Sequence, residues 1–275
     1  MKMAAMLRPN KGKGLGSLLK LHRDGSFGEV SIGPSYWQPS EKMPVSQAGI
    51  SVAINYLTLG VPALSANSTG RGGARNRADR ESQALSARHI GNLLAAANHA
   101  EAIGLPLNRM ITVHWQTAGI PLEAMAKATG RFTDLLGKAV ARHGHATAWL
   151  WVHESGAGKG GHCHLLVHLP PHIIPAMTAA QRRWIKAITG QPYRKRTILS
   201  KPIGGILAAE ARNPDLHAAN LAAALSYVLK GADAGAAAQF NLSRLEPGGR
   251  IIGRRCSTSE NIGAAARKAG GVNGQ

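Results

Sequence analysis

"HESGAGKGGHCHLLVHLP", residues 153–170, sets two histidines around a cysteine at the head of an apolar run, just past a glycine-rich turn. With "ATAWLWVHE" (146–154) before it, the stretch reads as two β-type runs joined by a short loop, a hairpin. Residues two apart on a strand face the same way. His162 and His164 then share a face with Leu166 and His168, while Cys163, Leu165, Val167 and Leu169 face a core on the other side. Glu154 ends the first run and can lie beside His162 across the hairpin. Two imidazoles and a carboxylate on adjacent strands make an open site for a divalent ion, and a solvated polar sheet face is the competing reading.

Spacing alone does not choose between them. With 12 His in 275 residues, chance gives His-x-His about half a time per chain, and a second copy exists, His143-Gly144-His145. That copy ends the amphipathic run "PLEAMAKATGRFTDLLGKAVARHG" (121–144), where a helix terminus favours a cation and a glycine cap. "SGAGKGG" (155–161) lacks the opening glycine spacing of a phosphate loop and a Ser or Thr after Lys159, and it leads into a strand. It is a turn, with no nucleotide-hydrolysing role implied.

Working outward, "ESQALSARHIGNLLAAANHAEAIG" (81–104) has helical spacing and a glycine stop, and "RMITVHW" (109–115) reads as a short strand. Downstream of the hairpin come a helix from about Pro175 to Thr189, the basic "YRKRT" (193–197), an edge strand near Ile198, and a helix from about Leu216 to Lys230. Helices and strands in this order predict an α+β fold, an antiparallel sheet flanked by helices. Residues 1–80 lack sustained periodicity, apart from a short strand or helix expected near Ile50 to Leu59, and hold 11 basic against 4 acidic side chains. They read as a basic, largely disordered N-terminal region. Residues 81–240 read as the folded domain and 241–275 as a basic, glycine-rich tail.

Charge points to polyanions. The chain carries 33 Lys+Arg against 14 Asp+Glu, a net +19, which concentrates phosphates around it. Two cysteines make no disulfide framework, and no stretch has the length and apolarity of a membrane span, so a soluble cytoplasmic protein is expected. Neither a membrane nor a small-molecule substrate is implied.

One more pair completes the pattern. "SYVLKG" (226–231) puts Tyr227 and Lys230 three apart on one helix face. Taken in order, "RMITVHW", Glu154, "HCHLLVH" and "YVLK" resemble the HUH endonuclease superfamily, specifically the rolling-circle replication initiators of plasmids and filamentous phages. The resemblance covers about residues 85–235, with one tyrosine where some phage initiators carry a pair. It implies a ferredoxin-like elaboration of the antiparallel sheet. It also implies His162, His164 and Glu154 as ligands of Mg²⁺ or Mn²⁺, Tyr227 as the nucleophile and Lys230 as its companion, able to lower its pKa or hold a phosphate.

The implied reaction is nicking and joining of single-stranded or hairpin origin DNA through a 5′-phosphotyrosyl link, with a host helicase and polymerase as partners. Lys159, Arg194, Lys195 and Arg196 are the expected phosphate contacts. A relaxase or transposase of the same superfamily, or a non-catalytic nucleic-acid-binding protein, are the alternatives.

Overall fold

The computed structural model describes the backbone of residues 17–21 and 27–31, and residues 79–156, 158–205 and 208–270. The expected element near Ile50 to Leu59 lies outside the described residues. The chain divides into two units, residues 1–46 and 47–275. In the first, β1 (Ser17–Leu21) and β2 (Phe27–Ser31) pair antiparallel, with Leu19 opposite Glu29. This hairpin falls in a stretch whose sequence shows no sustained periodicity.

The second unit is α+β, with an antiparallel five-stranded sheet. After the two-residue β3 (Glu81–Ser82) comes α1 (Ala87–Ala102), then β4 (Arg109–Val113) and α2 (Leu122–Arg142). The hairpin β5 (Trp149–Gly156) and β6 (Gly160–Val167) follows, then α3 (Ile174–Thr189) and β7 (Ile198–Pro202). The chain goes on through α4 (Pro214–Leu229), α5 (Ala234–Gln239), β8 (Ile251–Ile252), β9 (Cys256–Thr258) and α6 (Ala264–Ala269). Strand order is β7-β4-β6-β5-β9, so the strand carrying His162 and His164 is central and β7 is an edge.

Local chemistry sets the helix ends. Ser86 caps α1, its hydroxyl accepting from the His89 N–H while His89 Nδ1 accepts from the Ser86 N–H at 3.3 Å; histidine replaces the usual Glu or Gln of this reciprocal cap. Asn213 accepts from the Leu216 N–H at 3.0 Å and Pro214 supplies the first residue of α4. In the hairpin turn Gly160 has φ +63°, and a Cβ there would meet Gln116 Oε1 at 2.0 Å, the same oxygen that accepts from the Gly161 N–H. The positive φ is what favours glycine there, while the Gln116 side-chain tip would have to move for any Cβ.

Both sheet faces are buried. On one, Ile111, Val113, Trp151, Cys163, Leu165 and Val167 pack on α2 and α3 through Met125, Phe132, Leu136 and Trp184. On the other, Leu150, Val152 and Leu166 pack with Ile90 and Leu93 of α1 and Leu221, Leu225 and Val228 of α4. A sheet covered on both sides needs apolar side chains in both directions, which is why β5 and β6 read as near-continuous apolar runs. The histidine face is therefore an interior face, not a solvated one.

The C-terminal stretch set apart in the sequence as a tail from residue 241 takes part in this fold. β8 pairs with β3, and β9 pairs with β5, placing Trp151 opposite Ser257. Arg255 is buried at 3% exposure and donates to Ser82 Oγ at 2.8 Å and to the carbonyls of Ser82, Gly248 and Gly249. Each of its three nitrogens finds an oxygen, which offsets the desolvation of the guanidinium. No helix among the described residues is long and apolar enough to cross a membrane.

Candidate metal centre

Register brings the centre together. Glu154 of β5 pairs with His162 of β6, and His164 pairs with Val152 on one side and Thr112 of β4 on the other. Glu154, His162 and His164 project from one face of adjacent strands, and their ligand atoms all lie within 4.8 Å of one another. Glu154 Oε2 is 3.4 Å from His162 Nε2 and 3.6 Å from His164 Nε2. All three residues are buried, at 5%, 3% and 3% exposure.

The outer nitrogens are tied down. His162 Nδ1 donates to the Gly160 carbonyl at 2.8 Å, which turns Nε2 toward Glu154. His164 Nδ1 pairs with Thr112 Oγ1 at 3.0 Å. This is the second layer of bonding that orients metal-binding imidazoles. Burial pulls the His164 imidazole down to about 4, against the Glu154 charge, so its ring is neutral near pH 7. Burial alone would raise the Glu154 carboxyl. The two imidazoles beside it and the Lys230 charge outweigh that and hold it well below the carboxylate range.

Two buried atoms in the cluster, Glu154 Oε1 and His164 Nε2, have no hydrogen-bond partner among the described residues. Orphaned buried acceptors are expensive unless something supplies the missing contact. Converging imidazole nitrogens and a carboxylate fit a divalent cation, with Mn²⁺ suited to the nitrogens and Mg²⁺ to the oxygens.

Helix α4 brings in the other two expected residues. The Tyr227 ring lies edge-on to His164 with centroids 5.1 Å apart. Lys230, the C-cap residue of α4, contacts Glu154 Oε2 with its ammonium, which also stands 4.5 Å from the centre of the Tyr227 ring. The expected pairing of Tyr227 with Lys230 is present, but the lysine's ionic partner is the glutamate. Burial and then the Glu154 charge push the Tyr227 hydroxyl above its ordinary pKa, with Arg244, 5.0 Å from the ring, pulling the other way.

Tyr193 packs against the opposite core, under the Arg182 guanidinium at 5.4 Å. Tyr36 and Tyr56 lie outside the described residues. Arg194, Lys195 and Arg196 are exposed on the loop before β7, and Lys159 is exposed in the hairpin turn. They stand apart from the ligands but at the same end of the sheet. The Thr197 carbonyl accepts from the His114 N–H at 2.8 Å, and the His114 ring stacks on His162 at 5.5 Å.

Sequence reasoning passed over His114, Thr112 and Arg244. Strand pairing of "RMITVHW" with "HCHLLVH" signals the first two; nothing local signals Arg244. His114 is lowered to about 4 by burial, then by the charges of His162 and Lys159. The decoy pair sits elsewhere. His143 is the C-cap of α2 before Gly144 at φ +76°, and His145 Nε2 meets His172 Nε2 at 2.9 Å near the surface. No family model matches this chain, and no curated protein or solved structure matches it at a significant level.

Proposed function

We propose that the chain is a metal-dependent single-strand DNA endonuclease that nicks and rejoins an origin through Tyr227, in the manner of a rolling-circle replication initiator. The observation that carries this reading is the Tyr227 ring held 5.1 Å from the ring of His164, itself one of a buried His-His-Glu set. A phenol beside a cation-binding cluster suits in-line attack on a phosphodiester.

His162 Nε2, His164 Nε2 and Glu154 would hold the divalent ion, which supplies charge neutralisation on the nonbridging phosphate oxygens. The chain's own groups do the rest. The Tyr227 oxygen attacks phosphorus, the P–O3′ bond breaks, and the phenolic proton leaves through solvent as the 3′ oxygen takes one up. The strand is left with a free 3′-hydroxyl and a 5′-phosphotyrosyl link, and the reverse steps rejoin it. Lys159, Arg194, Lys195 and Arg196, exposed at the same end of the sheet, suit the strand's phosphates.

One observation favours a second reading. The Lys230–Glu154 contact closes the cluster as an internal ion pair, which suits a non-catalytic basic DNA-binding protein with a buried polar network. The test is a denaturing gel of the full chain with a labelled origin hairpin and Mn²⁺. The endonuclease reading expects a covalent adduct that maps to Tyr227 and vanishes in Tyr227→Phe, with DNA binding retained. No adduct, with binding intact, supports the second reading.

A further inference from the structure

The Glu154 carboxylate spends one oxygen on three neighbours. Oε2 meets the Lys230 ammonium, His162 Nε2 and His164 Nε2, while buried Oε1 has no hydrogen-bond partner among the described residues. Of the two carboxylate oxygens, Oε2 is the one beside both imidazole nitrogens, so a divalent ion held by all three residues meets the oxygen that the ammonium already occupies. Two cations on one carboxylate oxygen repel each other, and burial leaves that repulsion weakly screened. Ammonium and metal therefore compete at Oε2.

The lysine can leave only toward another anion. Its backbone is fixed, since its N–H bonds the Tyr227 carbonyl at 3.4 Å and its carbonyl accepts from the Glu246 N–H at 2.9 Å. The side chain is a flexible stem ending in a compact charge, so it can swing while α4 stays in place. At 3% exposure, a displaced ammonium would keep only the weaker pull of Glu246, whose carboxylate already pairs with Arg244. A phosphodiester beside Tyr227 offers a new partner, because Lys230 Nζ already stands 4.5 Å from the Tyr227 ring.

We propose that Lys230 is an internal counter-cation that the substrate removes: the phosphodiester draws the ammonium off Glu154, and the divalent ion takes its place. This rests on the metal-centre reading above. Metal and single-stranded DNA then bind with positive cooperativity, and each tightens the other by the same factor. Lys230 acts as a positioning residue, holding Glu154 in place until both ligands are present.

The experiment titrates Mn²⁺ into full-length Tyr227→Phe, which cannot cleave, and follows the free ion by electron paramagnetic resonance. It is run with and without oligothymidylate, subtracting binding by the oligonucleotide alone. The expected result is a tightening of roughly 5–150-fold with oligonucleotide. Adding Lys230→Met should give tight Mn²⁺ binding without DNA and abolish the coupling, and Lys230→Gln serves if the methionine variant does not fold. Mn²⁺ binding of equal strength with and without the oligonucleotide overturns the lysine exchange while sparing the metal centre. So does a Lys230→Met variant that binds Mn²⁺ no more tightly than its parent. Absence of Mn²⁺ binding in every arm overturns both.

Discussion

On β6 the two histidines of a His-x-His pair leave one face of a central strand, and their Nε2 atoms stand 3.4 and 3.6 Å from one carboxylate oxygen. At the end of α2 the same spacing puts His143 at a helix cap, while His145 turns to His172. The strand's two-residue period aligns the first pair, and the sheet buries it against an anion. The helix end splits the second pair between two jobs at the surface. A short motif acquires chemistry from the element that carries it and from what faces that element.

The widest gap between the two pairs should appear in metal binding. His162→Ala or His164→Ala is expected to abolish measurable Mn²⁺ binding in calorimetry and any Mn²⁺-dependent nicking. Affinity for single-stranded DNA measured without metal should hold, since phosphate contacts dominate it. Equal losses from His143→Ala would dissolve the comparison.

Acid sharpens the interior side. His153, next to Glu154 on β5, is fully buried, accepting from Thr129 Oγ1 at 2.8 Å and donating to the Arg254 carbonyl at 2.9 Å. Burial lowers it from 6.5 to about 3. The unfolded chain therefore binds the extra proton first. The stability is complete above about pH 6.5 and is lost progressively as pH falls toward about 3, on the order of 5 kcal/mol in all. Urea unfolding across that range should show this slope, and His153→Gln should flatten it.

A smaller effect is expected one bond behind the cluster. Thr112→Val removes the hydroxyl beside His164 Nδ1 and nearly keeps the volume. Mn²⁺ affinity should fall about 10–100-fold with the fold intact, as for other residues that orient a ligand from behind. An unchanged affinity would mean that burial alone aims the ring. The smallest effect belongs to the surface pair: His143→Ala and His145→Ala should each change unfolding stability by no more than about 0.5 kcal/mol and leave Mn²⁺ binding as it was.

Much of this was legible because the long elements are strongly periodic. α1, α2, α3 and α4, the β5–β6 hairpin and the edge position of β7 all follow from spacing and stop signals. β3, β8 and β9 do not, since strands of two or three residues carry no period. The second buried face was hidden as well. Leu166 alternates with the histidines, and only the packing of α1 and α4 shows that this face is interior. The cluster of Glu154, His162 and His164 was readable from hairpin register. The partner of Lys230 was not, because it depends on how α4 seats on a strand 76 residues away.

The C-terminal stretch also shields an edge. Along the outer side of β5, the Trp149 N–H donates to Ser259 Oγ, the His153 N–H to the Arg255 carbonyl and the Ser155 N–H to the Gly248 carbonyl, with β9 pairing between them. Gly249 passes so close that a Cβ there would stand 1.7 Å from the Ser155 carbonyl oxygen. Unpaired strand edges are templates for association, and "WLWV" is the kind of apolar, uncharged segment that stacks on copies of itself. A chain ending before Gly248 would expose that edge along its length, and light scattering would register the aggregation. Three residues of β9 and a few loop carbonyls thus keep the strand that bears Glu154 from recruiting a neighbouring molecule.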